Sequence, residues 1–113
     1  MIPRSIIMAF ALLFPAVGFS QTAGAQDTQP SSMAFMNANK NMMDAMTNMK
    51  PSGDADKDFV MMMIPHHQGA VDMAEVELQY GKDPTLKKIA EQIIKSQKKE
   101  IEEFKKWQRK HGM

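Results

Sequence analysis

Two breaks, Pro51-Ser52-Gly53 and Gly81-Lys82-Asp83-Pro84, divide the chain beyond its N-terminal third into three stretches. Each repeats its apolar residues at the period of a helix, and no segment alternates with the period of a strand. In the first stretch, opened by Ser31 or Ser32 as N-cap, Phe35, Met36, Met42, Met43, Met46 and Met49 share one broad face, with Asn37, Lys40, Asn41 and Asn48 largely outside it. In the second, Asp54 is the expected N-cap, and Asp56 and Asp58 fall where a helix dipole favours negative charge. There Phe59, Met62, Met63, His66, His67, Ala70, Met73 and Ala74 project to one side. Pro65 interrupts this pattern and predicts either a kink just before the histidines or a break into two helices. The third stretch, from Pro84 to Lys110, carries a stripe of Leu86, Ile89, Ala90, Ile93, Ile94, Ile101, Phe104 and Trp107, with Gln97 in its middle and Glu100 at its edge. The prediction is an all-α fold: a small antiparallel helical bundle of three main helices running up, down and up. Its core is small enough that pairing into a homodimer would complete a larger bundle.

The N-terminal segment reads as an address. Arg4 precedes an apolar run from Ile6 to Phe14, and Ala23-Gly24-Ala25 has the small residues that signal peptidase reads. Residues 1–25 are therefore expected to be a cleavable signal peptide, which sends the chain to the periplasm or into the medium. Pro15 and Gly18 leave the apolar run short for a membrane span, although an uncleaved anchor is the alternative. Residues 26–32 are polar and include Pro30, the composition of a disordered lead-in. The folded domain is expected over residues 33–111.

Without Arg4 the chain balances 13 Lys and Arg against 13 Asp and Glu, so it lacks the positive charge that nucleic-acid binding requires. It has no cysteine, which excludes disulfides and thiolate metal sites. Methionine is the anomaly, at 13 residues in the full chain. Met is also an adaptable core residue and a good helix former, so abundance alone does not decide its use.

Spacing is more informative. Within MMMIPHHQGAVDMA, residues 61–74, Met62 and His66 are four apart, as are Met63 and His67, and Met73 follows His66 by seven. Thioethers and imidazoles at these intervals converge on one helical surface. Thioether sulfur suits copper(I) or silver(I), and imidazole would also accept copper(II) or zinc. Met62, Met63, His66, His67 and Met73 are therefore the candidate metal ligands, against the alternative of satisfied core histidines among packing methionines. Met42, Met43, Met46 and Met49 form a further stripe that serves a second soft site or ordinary packing equally well. Met61 projects away from the main face. Gln97 and Glu100 are candidates to accept the spare N–H of a ligating histidine, and Glu100 alternatively binds metal or pairs with a surface lysine. His111 lies in the terminal segment and is expected to be solvated. No nucleophile and base pair, phosphate loop or pair of catalytic carboxylates is evident, so no catalytic residues are assigned.

At these residues the chain resembles the CopM-like proteins of the domain of unknown function 305 family. The likeness lies in the segment MMMIPHHQGAVDMA and continues through Leu86, Ala90, Ile93, Gln97, Glu100, Ile101 and Trp107. The resemblance implies a ferritin-like helical bundle and an exported protein that binds copper or silver and contributes to metal resistance. It carries the ligand role to Met62, Met63, His66, His67 and Met73. Phe104 departs from it, standing where family members often have a methionine. The leading functional expectation is thus a protein that buffers, sequesters or relays soft metal, with another periplasmic copper-handling protein as a partner. The alternatives are a ferritin-like metal-dependent redox enzyme and a methionine-rich interaction module without metal.

Overall fold

The computed structural model describes residues 29–113, so the expected signal peptide and most of the lead-in lie outside the described residues. Three helices follow one another, α1 (Pro30–Thr47), α2 (Ala55–Tyr80) and α3 (Pro84–Lys110), with no strand among the described residues. α1 begins earlier than the serine caps suggest. Pro30 is its first residue, a position where a missing N–H and a preset φ are both tolerated, so Pro30, Ser31 and Ser32 are helical rather than part of the lead-in.

The breaks are built as their residues dictate. Gly53 turns the chain at φ 83°, a left-handed conformation that a side chain disfavours. Asp54 then caps α2 by accepting from the Lys57 N–H at 3.1 Å. Asp83 caps α3 by accepting from the N–H groups of Thr85 and Leu86, with Pro84 at the first helical position. α2 runs on through Pro65 without dividing in two. The one bond lost to the Met61 carbonyl is outweighed because helices pack on both sides of α2.

α2 is the central element, and both neighbours run antiparallel to it. On one side Phe59 meets Phe104, His67 meets Glu100 and Glu75 meets Lys98 of α3. On the other, Met46 and Met49 lie beside Met61 and Met62, while Asn41, Met42 and Ala45 lie beside Pro65, Gln68, Gly69 and Asp72. α1 and α3 do not pack on each other. The bundle is consequently open, with α2 between its two partners. Its buried apolar residues are correspondingly few and mostly small: Ala38, Val60, Val71, Ala74, Ala90 and Ile101. Gly69 is buried directly against α1, since a Cβ there would lie 2.9 Å from the Cβ of Met42. Met36, Met43, Phe59, Met62, Leu86 and Ile89 remain exposed. None of the described helices is long and apolar enough to cross a membrane.

Candidate soft-metal site

Consecutive residues on a helix point about 100° apart, so His66 and His67 cannot both face one neighbour. The structure divides them. His67 turns toward α3, where its side chain is 11% exposed and its Nε2 lies 2.5 Å from Glu100 Oε2. The Phe104 ring meets the imidazole in a T-shaped contact, with centroids 5.3 Å apart. His66 stays exposed, its ring centroid 6.2 Å from that of His67. The single face expected from the helical projection is therefore two lines. Met63 precedes His67 by one turn on the inner line and is half-buried. On the adjoining line Met62 precedes His66 by one turn, and Met73 follows it by two.

The Glu100 contact bears on which nitrogen of His67 is free. A carboxylate at Nε2 favours the proton there, which leaves Nδ1 as the lone-pair atom in the neutral ring. Nδ1 is buried and has no hydrogen-bond partner. Leaving such an atom unsatisfied costs on the order of 1–3 kcal/mol. The arrangement of carboxylate, imidazole and vacant ring nitrogen is the one by which proteins orient a metal-binding histidine. Of the two polar residues on the α3 stripe, Glu100 holds the ring and Gln97 does not, and the partner of Glu100 is this histidine rather than a lysine.

The methionines separate into distinct surroundings. Met73 is half-buried in the groove between α2 and α3, with Ala70, Ala74, Leu86 and Ile89. Met42 packs over Gly69, and Met43 is half-exposed. Met46 and Met49 line a recess with Met61 and Met62, together with Lys50, Pro51 and Asp58. Sequence reasoning set Met61 aside because it points away from the histidines. The missed signal is that away from the histidines is toward the methionines of α1. Phe104 lies against His67 with its ring and offers no donor atom.

Asp58 at that recess is held ionised: the Ser52 hydroxyl and N–H both donate to its Oδ1, at 2.6 and 2.7 Å, and lower its pKa from the ordinary carboxylate value. His111 is engaged at the end of α3, stacked on Trp107 with its Nδ1 2.7 Å from the Trp107 carbonyl oxygen. Among the described residues no three His, Asp or Glu side chains converge on a point that could hold an ion. Beside the Glu100 carboxylate, the donors that helical spacing brings to His67 include the Met63 thioether one turn before it, and thioether with imidazole suits a soft cation.

The chain belongs to the domain of unknown function 305 family, whose model, described as Domain of unknown function (DUF305), matches residues 14–108. It is also similar to Uncharacterized protein L153 of Acanthamoeba polyphaga mimivirus, 44% identical over 49 residues. That match takes in 43% of this chain and 32% of the viral protein, so the chain spans about a third of that relative.

Proposed function

We propose that this protein is an exported binder of soft metal that buffers, sequesters or relays copper(I) or silver(I) and contributes to metal resistance. His67 Nδ1 supplies the anchoring donor, and Met63, with Met62, His66 and Met73 on the adjoining line, supplies the exchangeable remainder. One observation carries the reading: a buried imidazole nitrogen without a partner, on a ring whose other nitrogen is fixed by Glu100. Thioethers bind monovalent copper and silver in preference to hard cations, and exposed ones such as Met62, at 45% exposure, suit transfer of the ion to a partner. The signal-like N-terminus and the CopM-like segment support export and a role in resistance.

Anaerobic titration with copper(I) against a competing chelator tests this on the wild type, a His66→Ala/His67→Ala double variant and Glu100→Gln. The double variant is expected to lose the high-affinity equivalent. Glu100→Gln is expected to weaken it by about 10–100-fold, the usual effect of removing the group that orients a ligating histidine. Equal affinity in all three would overturn the reading, and sustained oxidation of a reductant by the copper-loaded protein would favour the redox enzyme instead. A second reading, an interaction module without metal, is supported by the exposed Phe59, Met62, Leu86 and Ile89. Concentration-dependent sedimentation of the metal-free chain as a dimer would favour it.

A further inference from the structure

We propose a second site of different chemistry, a thioether-only pocket for a monovalent soft cation, formed by Met46 and Met49 at the end of α1 and Met61 and Met62 in the second turn of α2. Four sulfur-bearing side chains from two helices line this one recess, and no histidine does. Met46 and Met49 are three residues apart and share one face of α1, while Met61 and Met62, which point about 100° apart on α2, both line the recess. Met46, Met49 and Met61 are half-buried and Met62 is exposed, which gives a sheltered donor set with an open side.

The recess is also braced. Ser52 bonds the loop after α1 to Asp58 in the first turn of α2 through its N–H and its hydroxyl, and the same hydroxyl accepts from the Asp54 N–H at 3.1 Å. This double clasp ties the segment carrying Met49 to the turn that precedes Met61. The charged groups lining the recess are Lys50 and Asp58. The Asp58 carboxylate contributes negative charge for an incoming cation, and its protein bonds leave it no need to serve as a ligand. Because thioethers carry no proton to lose, binding here does not compete with protonation, whereas an imidazole site does.

The two sites are therefore separable by pH. The test uses protein carrying 13C-methyl methionine, titrated with silver(I) nitrate at pH 7 and about pH 5, where protons compete for imidazole. The methyl signals of Met46, Met49, Met61 and Met62 are expected to shift together with one equivalent of silver(I) at both pH values. Met62 is also a donor of the histidine site proposed above, so Met46, Met49 and Met61 are the signals that separate the two, and these three are expected to shift equally in the His66→Ala/His67→Ala variant. Met46→Leu/Met61→Leu, a substitution of similar volume, is expected to abolish the pH 5 equivalent while leaving the helical circular dichroism unchanged. Zinc is expected to move none of these methyls. Loss of the Met46, Met49 and Met61 shifts at pH 5 or in the histidine variant, or retention of the pH 5 equivalent in the leucine variant, would overturn the proposal.

Discussion

The two sides of α2 are built on different principles. Toward α3 the contact is made by aliphatic and aromatic side chains, Ala90, Ile93, Ile101 and Phe104, and is pinned by the hydrogen-bond contact of His67 with Glu100. Toward α1 it is made by methionines and small residues, with no hydrogen bond or ion pair between the two helices among the described residues and only the Ser52 to Asp58 clasp at one end. Branched and aromatic side chains specify one packing, whereas methionine adapts to several. The α3 side holds a histidine in a defined orientation, and the α1 side gathers methionine sulfur in an adaptable contact. Under the proposed function, holding an ion and releasing it would draw on these two kinds of contact flanking one helix.

Substitutions break this comparison in order of size. Ile101→Ala, at a residue only 5% exposed, should cost about 2–5 kcal/mol in chemical denaturation and lower the stability of all three helices together. Gly69→Ala should act on the other side alone. Its new methyl meets Met42, a clash of about 1–3 kcal/mol partly offset by the better helix propensity of alanine, about 1 kcal/mol. Hydrogen exchange should then show α1 amides losing protection while α2 and α3 keep theirs. Asp54→Ala removes the N-cap of α2 and should cost about 1 kcal/mol, read as a lower denaturation midpoint with an unchanged slope.

The smallest effect is a pH dependence at the clasp. Ser52 lowers the Asp58 pKa in the folded chain, so between the folded and unfolded values the unfolded chain binds more protons and stability rises with pH. The contribution is complete above the ordinary carboxylate range and is lost as pH falls through the lowered value, below about pH 4. Ser52→Ala should reduce stability slightly at neutral pH, and the difference from wild type should vanish in acid. A constant difference across that range would exclude the clasp as its cause.

Much of this organisation was legible in residue patterns. The Pro-Gly breaks and the capping aspartates Asp54 and Asp83 mark the helices closely, because caps and turns are local chemistry. The start of α1 was less legible, since Pro30 suits both a lead-in and a first helical turn. A helical projection gathered His66 and His67 onto one face because it treats the face as facing a single partner. With α1 and α3 flanking α2, a 100° difference becomes the difference between a ring mostly covered by α3 and an exposed one. For the same reason the role of Glu100 over Gln97, and the company of Met61, depended on how helices dock, which periodicity within one helix does not encode.

The central claim is that His67 Nδ1 is the donor that receives a soft ion while Glu100 keeps the proton on Nε2. Long-range nitrogen–proton NMR of 15N-histidine protein during addition of silver(I) observes both ring nitrogens directly. The account predicts a large shift of the His67 Nδ1 resonance with Nε2 still protonated. A shift confined to His66 and His111, or coordination through His67 Nε2 with loss of its contact to Glu100, would contradict it.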